Sequence, residues 1–534
     1  MPTIVIDGQP VECRDGISVL QAALEAGWDV PHYCYHPGLK VVASCRLCLM
    51  EMKMPHPQTK ELGWAPKLFP ACHTPVRDGL EVRFDSDKVR SARQHAMEYY
   101  LINHPLDCPV CDKAGECYLQ DYTERYGYAS SRMVEDKYKN PKKNLGPHTL
   151  LYADRCVLCK RCVRFCDEIA GTGELRVVNR GSRNEIDVFP GVPLANELQG
   201  NVVDLCPVGA LLDKDFLFAQ RVWFVRSVKS ISPADSRGQA IYVDCNNQGV
   251  HRIRARYNPK VNDWWISDEA RFGWKYINSD QRCRRPQVRR GQQWEAVSWE
   301  ELPALVRFRI EDANDAEGGA DVAAVLSPMM SCEEAWLLAR AVRELAPRAT
   351  LVSGYVPVEG EDKTFPGGFV IKAEKCPNRR GVETIMEHLG GARLGFDEFL
   401  AAAGEGKFKV VYLTGGYPTS DWVSKEAVKA LGGLDELIVH DLLAGALDAV
   451  ATVRIPSASF AEREGSFMNC DGLVQPFERA VPPLEGVKAD GQFLFELAGR
   501  EGLFRAADVR AEMGREVAAL GEVYEPPEMP RYAH

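Results

Sequence analysis

The spacing of the cysteines constrains this chain more than any other feature. Thirteen of the 18 lie in the first 206 residues and five in the remaining 328. Such a cluster is either a disulfide framework or a set of metal ligands. Disulfide frameworks belong mainly to small exported proteins. This chain has 534 residues, enough for three or four domains. It opens MPTIVIDGQP, without the basic and apolar segments of an export signal. The thiols are therefore expected to be reduced, and clustered reduced thiols are most simply metal ligands. At 45% hydrophobic and 26% charged residues the composition excludes a disordered or collagen-like chain. No stretch approaches the roughly 18 uninterrupted apolar residues of a spanning helix. A net charge of −10 argues against nucleic acid as a partner.

Three ligand sets emerge from the spacing. Cys34-x10-Cys45-x2-Cys48-x23-Cys72 offers one close pair and two flanking thiolates, which suits a 2Fe–2S cluster better than zinc, whose sites usually pair two knuckles. His104-x3-Cys108-x2-Cys111-x5-Cys117 would by itself also suit zinc. Its position between two iron–sulfur patterns favours a 4Fe–4S cluster with one imidazole ligand. Cys156-x2-Cys159-x2-Cys162 with a remote Cys206-Pro207 is the ferredoxin arrangement for a second 4Fe–4S cluster. Cys166 extends that run, but in two-cluster ferredoxins such a cysteine needs a second three-cysteine run, and there is none. It reads as a buried structural thiol, as do Cys13, Cys245, Cys283, Cys332, Cys376 and Cys470. No phosphate-binding loop, dinucleotide fingerprint or nucleophile elbow accompanies the cysteines. The pattern predicts an electron conductor without a catalytic residue of its own.

Local signals predict a multidomain α+β and α/β protein. Thr3 to Ile6 and Gln9 to Cys13 read as strands around an Asp7-Gly8 turn, and Ser18 caps a helix that Gly27 ends. Ala240 to Cys245 and Val250 to Tyr257 form a hairpin. Val322 to Leu326, Leu351 to Ser353, Val410 to Leu413 and Leu437 to His440 read as buried strands. Ser331 to Leu345 and Ser424 to Leu431 are the helices between them, an alternation that predicts a mostly parallel sheet. The domains expected are 1–85, 86–228, 229–285 and 286–534. Between Arg125 and Arg164 ten Lys/Arg face three Asp/Glu. Such a run is ordinarily a solvated surface, or here a counter-charge for thiolate-bound clusters.

The segments HPLDCPVCDKAGEC (104–117), RCVLCKRCVRFCDEIAG (155–171), GNVVDLCPVGAL (200–211), WISDEARFG (265–273), INSDQRCRRP (277–286) and AEREGSFMNCDGLVQ (461–475) resemble the large iron–sulfur subunit family of respiratory complex I. This is the 75 kDa iron–sulfur subunit family of NADH-quinone oxidoreductases, which are translocases. The resemblance implies an N-terminal β-grasp ferredoxin domain, a helical and loop-rich domain for the two 4Fe–4S clusters, and a C-terminal α/β domain like molybdopterin oxidoreductases. It also implies a flavin-bearing NADH-oxidising partner, partners with ferredoxin-like 4Fe–4S clusters and the quinone site, and a peripheral place on the cytoplasmic side of the inner membrane. Some members hold a further cluster; the equivalent frame here is Ser232, Asp235, Gln239 and Ser267, none of them cysteine. That site is expected to be vestigial. Molybdopterin is not expected, Arg463 and Glu464 being relics. The alternative reading is a subunit of an NAD-linked molybdopterin formate dehydrogenase or a hydrogenase. One consequence is testable: His104→Cys replaces neutral imidazole by a charged thiolate, so its cluster should persist at a lower midpoint potential in redox-titrated EPR.

Overall fold

The computed structural model describes residues 1–56, 58–314 and 321–528. The chain forms two compact units, one built mainly from Met1–Val225 with Phe365–Phe369, the other from Arg226–Thr364 and Val370–Pro527.

In the first unit, Thr3–Ile6 and Gln9–Glu12 pair antiparallel through Asp7 and Gly8. Both turn residues have positive φ (48° and 83°), as a two-residue hairpin turn requires. The second strand ends one residue earlier than the sequence predicts: the Cys13 N–H still bonds the Pro2 carbonyl, but Pro2 has no N–H to complete the pair. Ser18 and Gln21 form a capping box for the helix Val19–Glu25. The sheet runs Gln9–Glu12, Thr3–Ile6, Glu81–Arg83, Leu49–Pro55, Leu62–Trp64, and only the pairing of Thr3–Ile6 with Glu81–Arg83 is parallel. Ile4, Ile6, Met50 and Val82 bury one face of this sheet against Val19, Leu20 and Ala23. Cys48 and Cys72 belong to the same apolar cluster. Beyond it, the helices Asp87–Leu101, Tyr118–Tyr126, Arg161–Glu168 and Asn201–Leu205 alternate with loops that carry the remaining predicted ligands except Cys162, which lies in the first turn of Arg161–Glu168.

The second unit opens with a three-stranded antiparallel sheet, Arg226–Ile231, Ala240–Asn246 and Gly249–Ala255. Its larger sheet has eight strands, of which Thr350–Ser353, Val322–Leu326, Val410–Thr414, Glu436–Asp441 and Val453–Pro456 are adjacent and parallel. Alternate side chains of Val322–Leu326 enter different cores. Val322, Ala324 and Leu326 pack with Trp336, whereas Ala323 and Val325 pack with Phe399 and Leu431. A strand covered on both faces is therefore apolar at every position. Ser331 and Ser424 cap the helices Cys332–Leu345 and Lys425–Leu431 at the predicted starts. The boundary expected at residues 285 and 286 does not separate compact units. Ile241, Val243 and Ile253 share their core with Phe460, Ala461, Ala480 and Val481, a late return of the chain that local patterning does not reveal.

Among the described residues, no helix is long and apolar enough to cross a membrane, and Trp336 is the largest fully buried side chain. Trp336→Ala should destabilise this unit by about 3–5 kcal/mol, read as a lower urea midpoint.

Candidate iron–sulfur ligand sites

The first predicted set converges. Cys34, Cys45, Cys48 and Cys72 are all buried, and their thiols touch in a chain: Cys45 with Cys34, Cys34 with Cys72, Cys72 with Cys48. Backbone donors are aimed at the sulfurs. Tyr33 N–H reaches Cys45 Sγ at 3.4 Å, the Ser44 and Cys45 N–H groups lie toward Cys34 and that of Cys72 toward Cys48, while the Ala71 N–H holds the Cys48 carbonyl at 3.0 Å. Ala43 and Arg46 adopt the left-handed conformation (φ 49° and 58°), a strain that persists where the surrounding structure demands a particular loop shape. Bonds from neighbouring thiols hold Cys34 and Cys48 below the ordinary thiol range and push Cys45 and Cys72 above it. The four sulfurs thus share protons that metal binding would displace.

The third set surrounds a small cavity lined by Cys156, Cys159, Cys162 and Cys206 with apolar walls from Leu151, Ile186, Val208 and Leu211. Left-handed Leu158 and Lys160 (φ 51° and 63°) shape its loop. The Leu158 N–H donates to Cys156 Sγ at 3.4 Å, and the Arg161 N–H donates to Cys159. Burial pushes Cys159 up to about 11, with Cys156 and Cys162 also raised. Cys166 is fully buried but does not line the cavity. Its sulfur accepts the Leu175 N–H, and burial pushes its thiol up to about 12.

The second set is more open. Cys108 is exposed, while Cys111 and Cys117 are buried. Cys108 lies in the field of Cys111, and Cys111 in that of Cys117. Backbone N–H groups of Lys113, Leu119 and Gln120 point at Cys111 and Cys117. Burial pushes Cys117 up to about 11. His104 joins through Arg155, whose charge acts on both the imidazole and Cys111. Burial, Arg155 and Lys137 push His104 down to about 4, so its ring is neutral at pH 7, the form that ligates metal.

Among the described residues no three His, Cys, Asp or Glu side chains close on one ion position. Ligands of a cluster hold different irons and need not share a point. In each set, thiols met by N–H groups directed at sulfur fit an iron–sulfur group, and the third adds apolar walls.

The three sets are tied together by contacts that spacing does not reveal. Arg155 pairs with Asp107 at 2.7 Å and reaches the Gly209 carbonyl at 3.4 Å. The Tyr118 N–H, next to Cys117, donates to the Pro207 carbonyl, next to Cys206, at 3.0 Å. A Cβ at Gly209 would overlap Cys111 Sγ, so glycine there permits the close approach. Buried Arg161 and Arg164 donate to the carbonyls of Tyr35 and Cys34. Tyr33 lies in the field of both Cys45 and Cys117. The only advance signal of the arginines is their alternation with cysteine in RCVLCKRCVRFC.

The predicted vestigial frame is also brought together, by hydrogen bonds. Gln239 Nε2 donates to Asp235 Oδ2 (3.1 Å) and Ser267 Oγ (3.2 Å), and Gln239 Oε1 accepts the Ser267 N–H at 2.8 Å. The Ser232 N–H donates to the Gln239 carbonyl at 2.8 Å. All four residues are at most 1% exposed.

Sequence profiles of known families match consecutive parts of the chain. Residues 1–87 match a 2Fe–2S iron–sulfur cluster binding domain. Residues 93–132 match the NADH-ubiquinone oxidoreductase-G iron–sulfur binding region. Residues 146–212 match the ferredoxin-like domain of NADH-quinone oxidoreductase subunit 3, and residues 225–275 the NDSU1/NuoG-like 4Fe–4S domain. Residues 379–500 match molybdopterin oxidoreductase. Fold and profiles together define an iron–sulfur protein with a ferredoxin-like N-terminus and a molybdopterin-oxidoreductase-like C-terminal region. Among its relatives, the NADH-ubiquinone oxidoreductase 75 kDa subunit of Reclinomonas americana is 35% identical over 358 residues, covering 67% of this chain and 50% of that one. The mitochondrial NADH dehydrogenase [ubiquinone] iron–sulfur protein 1 of Solanum tuberosum is 39% identical over 304 residues, covering 57% and 40%. These two matches span half or less of the relatives' own length. The corresponding NADH-quinone oxidoreductase subunit of Rickettsia felis is 28% identical over 626 residues, covering 97% and 91%. Along nearly its whole length the chain is similar to the 75 kDa iron–sulfur subunit family of NADH-quinone oxidoreductase. It departs from the NDSU1/NuoG-like 4Fe–4S profile in substance, because Cys245 is the single cysteine in 225–275 and its thiol donates to the Ala480 carbonyl at 3.1 Å.

Gln239→Ala should leave buried Asp235 and Ser267 groups without their partner. The expected cost is about 1–3 kcal/mol, measured by urea unfolding.

Proposed function

We propose that this chain is an electron conductor of NADH-quinone oxidoreductase, passing electrons from an NADH- and flavin-bearing partner toward partners with further 4Fe–4S clusters and the quinone site. The ligands in this reading are Cys34, Cys45, Cys48 and Cys72 for a 2Fe–2S cluster. His104, Cys108, Cys111 and Cys117 hold one 4Fe–4S cluster; Cys156, Cys159, Cys162 and Cys206 hold the other. The observation that carries the reading is the gathering of three thiol sets, mostly buried and each met by backbone N–H donors, within one compact unit. When bound, the clusters supply one-electron redox chemistry. The chain's own residues do the rest. Apolar walls from Leu151, Ile186 and Leu211 exclude water from the third set, and the Leu158 and Tyr33 N–H groups bond to ligand sulfur, which sets potential. Such a chain sits peripherally on the cytoplasmic side of the inner membrane within its complex. Its parts in this reading are a β-grasp ferredoxin domain (1–85), a domain for the two 4Fe–4S clusters (86–228), and an α/β scaffold (286–534) that shares one compact unit with the small β segment 229–285.

The profile match over 379–500 favours a second reading, a molybdopterin enzyme. Against it, the residues resembling that family are committed to structure: Arg463 bonds Glu334 at 2.9 Å, Asp490 at 3.1 Å and the Met329 carbonyl at 2.7 Å, and Glu464 accepts the Ala506 N–H at 2.9 Å. Metal analysis separates the two. About ten irons per chain without molybdenum or tungsten is the expected result, two plus four plus four. Near one molybdenum per chain would sink the conductor reading.

A further inference from the structure

Arg161 and Arg164 lie on one face of the helix Arg161–Glu168, three residues apart, and are 1% and 7% exposed. Buried charges are ordinarily paired with opposite charges. Among the described residues neither guanidinium has a carboxylate within ion-pair distance, and their hydrogen bonds go to backbone carbonyls. Arg161 donates to the carbonyls of Tyr35 and, at 3.4 Å, Leu205, and its Nε is buried without a partner. Arg164 donates to the carbonyls of Cys34 and Lys40 and, at 3.3 Å, to that of Lys160. Glu168, the acid nearest in effect to Arg164, is engaged by the Lys40 N–H at 2.9 Å. His36 offers no negative charge, since burial and the two arginines push its imidazole toward the neutral form.

The carbonyls that receive these bonds are instructive. Cys34 belongs to the first ligand set and Tyr35 follows it, while Leu205 precedes Cys206 and Lys160 follows Cys159 in the third. Each arginine therefore spans from the 2Fe–2S loop to the 4Fe–4S loop. The Arg164 charge acts on the sulfurs of both Cys34 and Cys159. Four thiolates outweigh the positive charge of an iron–sulfide core, so a ligated cluster is net negative, and reduction adds one electron without making or breaking a bond. Charge of that sign is what two buried, acid-free guanidiniums lack.

We propose that Arg161 and Arg164 are the shared counter-charge of the clusters held by the first and third ligand sets, positioning residues that stabilise the added electron on both and so set the two potentials together. This inference rests on the cluster reading above.

The test is a redox titration, followed by EPR, of the iron-loaded full-length chain with dithionite as electron donor, together with iron analysis. In Arg164→Gln both the 2Fe–2S signal and the 4Fe–4S signal should remain, with both midpoints moved to more negative potential. Arg164→Lys keeps the charge but not the forked bonds, and its midpoints should stay near those of the wild type. Should Arg164→Gln lose iron, Arg161→Gln carries the same expectation. Unmoved midpoints with both signals intact overturn the proposal while leaving the conductor reading in place. So does a lysine variant that shifts as far as the glutamine one, because the backbone tie and not the charge would then be responsible. Absence of both cluster signals from the wild-type chain overturns the conductor reading itself, and this proposal with it.

Discussion

Buried thiolate charge is the constraint around which the first 225 residues are organised. A sulfur ligand taken out of water loses its solvation, and the fold replaces it with fixed donors. Backbone N–H groups are directed at the sulfurs of Cys34, Cys45, Cys48, Cys111, Cys117, Cys156 and Cys159. The left-handed residues Ala43, Arg46, Leu158 and Lys160 exist because a regular backbone would turn those N–H groups away. Arginines at 155, 161 and 164 contribute full charges from behind the same loops. Pre-set dipoles of this kind need little rearrangement when an electron arrives, which is what a conductor requires of its protein.

Much of this is legible in the sequence where chemistry is local. Cys-x2-Cys-x2-Cys can make few structures other than a tight metal loop, and serine caps at 18, 331 and 424 mark helix starts that the structure repeats. Apolar runs such as Val322–Leu326 announce strands buried on both faces. What escapes is non-local. Nothing in the neighbourhood of Arg161 says that its partners are 126 residues upstream and 44 downstream. Gly209 looks like an ordinary loop glycine until Cys111 is seen against it. The return of Phe460 and Ala480 onto the hairpin at 240–255 cannot be foreseen from hydrophobic periodicity, which reports which face is buried but not against what. His104 is the intermediate case: its spacing from Cys108 suggests a ligand, yet its neutral state comes from burial first and then from Arg155, 51 positions later in the chain.

The second unit shows what becomes of machinery whose chemistry is no longer called on. Arg463 and Glu464 persist, but as members of a buried ion network and as a helix-end acceptor. Glu333 behaves similarly, tying Ser466 and Arg510 to the helix Cys332–Leu345. Residues with structural duties of this sort resist replacement for reasons of stability alone, so a resemblance in this region speaks to ancestry of fold more than to activity.

The hydrogen-bonded quartet of Ser232, Asp235, Gln239 and Ser267 has an evolutionary corollary. Each member satisfies another, so reverting any single position to cysteine would strand buried polar groups without offering iron a complete set of ligands. The path back to a cluster runs through intermediates worse than either end. Glutamine at 239, placed to answer both a carboxylate and a serine, is the member whose loss would open the whole quartet.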